Sequence, residues 1–420
     1  YLTEAFTNYN MLVVDQIIGR NSFINIANTN VYSPSNSRTA NVTGVSFKIA
    51  DKENMYGFNG NVAYSTVLDS VGQAPVNGYN VKLGVGKYGG KINAGYDISL
   101  ISDEYNPNHM GYLRHNNSIN HDLTFTYREL EPFSVFNSMS HSLMLGYDQL
   151  FAPREYARFG TYLSSRATFK NYWDIRLSLK SDPFGGQDWY EPRVEGWFYD
   201  RPAYYEVEIG GSTDYRKKVG VYFGVQYAEN LVGENAWEIS AMPRIRISDK
   251  LSINPRIKYE EARNQIGYAG YISEDSIGFG KRSVNRVTSQ ISASYVFNNK
   301  SALSFSMRHY WSAVDYSEYY LLQKDGGVKD FVDYPYNEDI NFNILTVDLE
   351  YSWNLAPGSF LTVVWKNNIY TSDEVADDLF VNYWDNLNTT FSSPQTNSFS
   401  VKLTYYLDYQ TVIRPRLPFP

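Results

Sequence analysis

The chain contains no cysteine, only five histidines among 420 residues, and no apolar run near the roughly 18 residues that a spanning helix needs. The lack of cysteine excludes disulfides and suits an envelope protein that does without them. The scarcity of histidine leaves little imidazole for catalysis, and the lack of a long apolar run argues against the inner membrane. Positive charge is also short: 37 Lys and Arg face 45 Asp and Glu, for a net charge of -8 with no basic stripe. That balance argues against a polyanionic partner such as nucleic acid. Nothing resembling a signal peptide precedes Tyr1, so a mature product or a fragment is expected.

What the chain has is a two-residue rhythm. Phe399, Val401, Leu403, Tyr405 and Leu407 alternate with Ser398, Ser400, Lys402, Thr404, Tyr406 and Asp408, which gives a strand one apolar and one polar face. Trp173 to Lys180 and Leu303 to Trp311 repeat it. Aromatic residues make up 16% while mean hydropathy is only -0.42, a combination expected of a lipid-facing band backed by a polar lumen. The reading is all-β: one large antiparallel transmembrane β-barrel in the bacterial outer membrane, spanning 1–420 as a single domain. About nineteen strands are expected here, and about 20 to 24 in a complete closed barrel of even strand number.

Short turns at Lys170-Asn171, Ser248 to Lys250, Asn298 to Lys300 and Ala356 to Gly358 alternate with long polar connections around 102–119, 182–202, 262–285, 312–340 and 371–396. Short turns are assigned to the periplasm and long loops to the outside. A first strand near Asn8 to Ile18 then runs downward. An odd strand number with that direction implies at least one earlier strand.

Trp173, Trp237, Trp311, Trp353 and Trp365 fall in the apolar register and are expected to form an aromatic girdle at the headgroups. The even register carries Arg176, Arg244, Arg246, Arg256, Arg308, Lys366 and Lys402 with Asp348 and Glu350. These are assigned to the lumen, which charges of both signs could make either a wet selective pore or a salt-bridged, closed interior. The segment Asp182 to Pro202 breaks the rhythm. It gathers Trp189, Tyr190, Arg193, Trp197, Tyr199 and Arg201, a set costly to splay in water, so it is expected to fold over or into the lumen as a plug, with a sugar or peptide site as the alternative.

His121, His141 and His309 lie in the lipid-facing register, badly placed for a base beside a nucleophile, and no catalytic residue is assigned. Cofactors are not expected. Asp373, Asp377 and Asp378 in one outer loop are weak calcium candidates against the plainer reading of a solvated acidic surface, because their spacing is not that of an EF-hand.

The stretches Gly278 to Thr288, Ala293 to Ser312, Tyr320 to Leu322, Leu355 to Ser359, Trp365 to Asn367 and Tyr405 to Tyr409 resemble a family of large Bacteroidota envelope proteins classed as a domain of unknown function. Asn41 to Gly44 and Tyr56 to Gly60 extend the resemblance towards the start. Complete members typically carry an N-terminal domain similar to family nine carbohydrate-binding modules, followed by early strands. The resemblance implies an outer-membrane barrel with that domain lying before Tyr1, and it carries over no catalytic residue. The expected role is a pore, or a scaffold in an envelope complex, without enzymatic activity. The alternative is carbohydrate binding or uptake together with the sugar-binding-type domain. Expected partners are outer-membrane lipid and lipopolysaccharide, other envelope proteins and, in the alternative, oligosaccharide.

Overall fold

A computed structural model describes residues 6–34, 38–69, 74–273, 276–373 and 383–407. It is all-β apart from one short helix, with 22 strands in a single antiparallel sheet. The first ten strands are β1 (Asn8–Ile18), β2 (Ser22–Ser33), β3 (Arg38–Ala50), β4 (Tyr56–Leu68), β5 (Val76–Lys87), β6 (Ile92–Ile101), β7 (Ser118–Glu129), β8 (Phe136–Gln149), β9 (Tyr156–Phe169) and β10 (Asp174–Asp182). There follow β11 (Gly186–Asp188), β12 (Tyr199–Arg201), β13 (Tyr204–Ser212), β14 (Val219–Asn230), β15 (Asn235–Arg246) and β16 (Leu251–Ser273). The chain then runs through β17 (Ser276–Asn298), β18 (Ser301–Leu322), β19 (Val328–Asp330), β20 (Ile340–Ala356), β21 (Ser359–Asp373), helix α1 (Tyr383–Ser392) and β22 (Gln395–Thr404). Strands β11, β12 and β19 have three residues each. The remaining 19 are long and pair each with the next, as an antiparallel meander. Among the described residues β1 and β22 are not paired with each other, and both are exposed along their whole length.

The pairings test the two-face reading directly, because residues opposite one another in an antiparallel ladder point to the same side. From Arg176 the ladder runs through Gly210, Gly224, Ser240, Lys258, Thr288, Tyr310 and Ile344. All nine charged residues assigned to the polar face therefore share one face of β10 and β13 to β22. There Lys366 Nζ lies 3.5 Å from Asp348 Oδ1, and Lys258 bridges Glu238 at 3.0 Å and Glu260 at 3.2 Å. Arg244 and Arg246 are tied down instead, both donating to the Tyr215 carbonyl in a short turn, at 3.0 and 2.7 Å. The opposite face carries exposed apolar side chains strand after strand: Leu177, Ile209, Val225, Ile239, Ile257 and Ile291.

Two stretches differ from expectation. Residues 262–273, 276–285 and 312–322 are strand, not loop, so β16, β17 and β18 reach 23, 23 and 22 residues. Their alternation is lost because both faces are covered: Ile277, Phe279 and Leu322 pack under Trp197 and Tyr199, while Tyr334 crosses the other side against Gly270 and Gly278. A bulge near Asn264, at φ 57°, shifts the register there as well.

Helix α1 is the second departure. It lies on the apolar-register face of β18, β20 and β21, where Asn386 Oδ1 accepts from Asn341 Nδ2 at 2.9 Å and Asn343 Nδ2 at 3.0 Å. Trp311, expected in the girdle, is only 4% exposed beneath this helix and donates its indole N–H to Asn341 Oδ1 at 2.9 Å. It is a packing residue, as is His309 beside it, whose Nδ1 is 3.3 Å from the Tyr383 hydroxyl. Trp173, Trp237 and Trp353 are 45%, 44% and 42% exposed near strand ends, while Trp365 is half-buried and bonds Asn397 Oδ1 at 3.0 Å.

Candidate functional site

The long connection after β10 brings together side chains from many strands. Pro183 stops β10, and Gly185 turns the chain at φ +69°, where a Cβ would sit 2.4 Å from the Arg201 carbonyl oxygen. Strands β11 and β12 then pair Gly186 with Arg201 and Asp188 with Tyr199, closing a hairpin over residues 186–201. Asp188 Oδ1 accepts from the backbone N–H of Tyr190 at 3.0 Å and of Glu191 at 2.9 Å, which fixes the turn after β11.

This hairpin spans the sheet. On one side Gly186 pairs with Arg158 of β9, and the Trp189 indole donates to the Tyr156 carbonyl at 3.1 Å. On the other, Glu191 Oε1 accepts from Tyr268 N of β16 at 2.9 Å, and the Arg193 guanidinium lies 4.1 Å from the centre of the Tyr268 ring. Trp197 and Tyr199 fill the cluster of Ile277, Phe279 and Leu322, Lys324 caps the Trp197 ring at 3.6 Å, and Asp200 N donates to the Gly326 carbonyl at 2.9 Å. Four long strands separate β9 from β16 in the ladder, about 24 Å at strand spacing if flat. The hairpin is thus a strap tying distant strands at the loop end of the sheet.

All six residues singled out in this segment are brought together by it. Trp189, Trp197 and Tyr199 are anchors, with burial pushing the Tyr199 hydroxyl well above the ordinary tyrosine range. Arg193 and Arg201 pair with Tyr268 and with Asp188, whose carboxylate is 3.5 Å from Arg201 Nη1. Tyr190 reaches a third region, donating to the Asn116 carbonyl at 2.9 Å and packing 4.2 Å from the His115 ring.

Burial lowers the His115 imidazole below its ordinary 6.5, with the Arg114 charge adding and Asp188 opposing. A depressed imidazole holds the contact fully above about pH 6.5 and gives it up as pH falls through the lower folded value. Hydrogen exchange of residues 113–117, corrected for intrinsic rates, is therefore expected to speed up between about pH 7.5 and about pH 5.5. Equal protection across that range would remove His115 from the contact.

Two cavities flank the strap. One, of about 380 Å³, is bordered by Glu191, Arg201, Glu206, Glu234 and Arg282. The other, of about 230 Å³, is bordered by Asp148, Arg158, Asp182, Gln187, Trp189 and Tyr190. Glu234, Asp148 and Arg158 escaped the sequence reading, and Asp182 entered it only as the first residue of the 182–202 segment. In sequence they are ordinary polar positions at or beside alternating strands, and only the pairing register places them side by side. Burial raises the Glu234 carboxyl above its ordinary value. Among the described residues no cluster of acidic, histidine or cysteine side chains has a metal-binding arrangement, and Asp377 and Asp378 lie outside those residues.

Residues 1–415 match a family described as Domain of unknown function (DUF5916). No curated protein matches the chain.

Proposed function

The chain belongs to that family, whose description names no activity, and from the geometry we propose that it forms the wall of an outer-membrane β-barrel acting as a pore whose mouth the 186–201 strap narrows. One observation carries this reading: from β10 to β22 the long strands of the sheet turn an exposed apolar face one way and a charged, cross-paired face the other. A soluble sheet of this size would have to cover its apolar face, and α1 covers only part of β18, β20 and β21. Lipid supplies the missing cover. A tilted strand crosses a bilayer in about 9 to 11 residues, so the far halves of β16 to β18 stand clear of it as the platform that receives the strap. The scaffold role and the uptake of oligosaccharide are rival outcomes of the same experiments.

Brominated lipid provides the test of membrane insertion. In liposomes containing the refolded chain, fluorescence from Trp173, Trp237 and Trp353 is expected to be quenched, and that from Trp311 and Trp197 spared, as single-tryptophan variants would report. Equal quenching of both groups, or of neither, would refute the lipid-facing assignment.

A further inference from the structure

Among its lining groups the smaller cavity beside the strap is one cation short, and Lys180, close by, faces Glu206 at 3.9 Å outside that lining. Three carboxylates border it, Asp148, Asp182 and Asp188, against two guanidinium groups, Arg158 and Arg201. Both guanidiniums are committed. Arg158 gives its Nε and Nη2 to Asp148 Oδ2, at 2.9 and 2.8 Å, and Arg201 Nη1 faces Asp188 Oδ2 at 3.5 Å. Asp182 is left with Arg158 Nη1 at 4.0 Å, beyond hydrogen-bonding distance, although it is the most deeply buried of the three at 5% exposed.

The hydrogen-bond inventory agrees with the charge count. Of the seven buried side-chain atoms without a hydrogen-bond partner among the described residues, three lie beside the strap: Asp182 Oδ1 and Gln187 Oε1, which both border this cavity, and Glu234 Oε1, which borders the larger one. All three are acceptors, so the partner they need brings donors, and a buried carboxylate without one is costly. Asp122, on β7, lies on the same face as Asp148 and directly opposite Asp97 of β6, which adds negative charge from further along the wall. Glycine makes room for this acid. A Cβ at Gly160 would be 3.0 Å from Asp182 Oδ1, and one at Gly84 would be 2.2 Å from Asp97 Oδ1.

The remaining lining selects the kind of cation. Trp189, Tyr190 and Tyr204 border the cavity, and Tyr204 already has Lys180 and Arg201 near its ring, at 5.5 and 5.9 Å. Aromatic faces beside carboxylates favour a weakly hydrated organic cation, and no metal-like cluster is formed by the described side chains. We propose that this cavity binds the guanidinium or primary ammonium group of a small organic cation, with Asp182 as its counter-charge and Gln187 as a second acceptor. Either a free amine or an arginine or lysine side chain of a peptide carries such a group. Binding here does not require conduction, so it stands or falls separately from the pore.

Agmatine, which bears both groups, is the probe, titrated calorimetrically into the full chain in detergent micelles with 1,4-butanediol as the neutral match. One agmatine per chain and no heat from the diol are expected. Asp182→Asn should weaken binding on the order of tenfold or more, as loss of a buried charge partner does. Gln187→Glu should strengthen it, which keeps the test sound should the first variant fold poorly. A short peptide carrying a single lysine, its termini blocked, binding as agmatine does would point to a peptide source, and failure of the peptide alone to a free amine. Equal binding of agmatine and the diol would overturn the proposal. So would indifference to both substitutions, or full displacement of agmatine by equimolar sodium.

Discussion

Removing residues 187–200 is expected to raise single-channel conductance several-fold in planar bilayers. Gly186 and Arg201 are Cα partners in the hairpin, so an Asn-Gly turn can join them without disturbing β10 or β13. The deletion takes away the strap that links β9 to β16 and β17, along with the rings of Trp189, Trp197 and Tyr199 at the loop end. In the proposed pore, a path lined by charges of both signs is then expected to open to its full width. Steady current in the intact protein with little change on deletion would mean that the strap lies beside the path. Silence in both forms, together with a stable copurifying partner, would replace the pore by a scaffold. Current that depends on added oligosaccharide would favour uptake.

The second large effect concerns what holds the strap. Phe279→Ala is expected to cost about 3–5 kcal/mol in the stability of the outer platform, the usual range for a fully buried phenylalanine. Phe279 has no solvent exposure, its ring centre is 5.2 Å from that of Tyr199, and Ile277 and Leu322 complete the cluster. The loss should be local, because the wall strands below do not share these contacts. Limited proteolysis within residues 189–197 should become rapid while the heat-resistant mobility of the refolded wall stays unchanged. A variant as resistant as the parent would show that hydrogen bonds such as Tyr268 N to Glu191 Oε1 suffice to hold the strap.

The wall was legible in the sequence because a period of two is a local property. Asn8 to Ile18 is a strand over those residues, the four short turns fall where expected, and the nineteen long strands agree with the count. The strap was legible for the opposite reason, as a break in rhythm too aromatic to lie in water. Residues 262–273 and 276–285 read as loop in the sequence because strands covered on both faces lose their alternation, and what covers Phe279 and Gly278 is encoded 80 residues earlier, at Tyr199, and 56 residues later, at Tyr334. Trp311 was misplaced because nothing in the polar run Tyr383 to Ser392 announces a helix, still less one that docks through Asn386. The charge deficit at Asp182 was hidden most deeply. It exists only after register sets Asp148 against Arg158 and folds Asp188 back on Arg201.

The strand order also sets a timetable. In the meander each long strand bonds to the next long strand, so the wall can zip up hairpin by hairpin with every ladder closed between neighbours in sequence. Side-chain hydrogen bonds between residues more than 70 apart are few among those described: Tyr190 to Asn116, Tyr268 to Glu191, and Tyr383 to Ser289 and to His309. Every one belongs to the strap or to α1. Loop-closure entropy places these among the later contacts to form, whereas the cavity beside Asp182 is closed by partners near in sequence, Gly186 with Arg158 and Trp189 with Tyr156, so a chain arrested before the strap reaches β16 would already have the site and still lack the strap's far anchor.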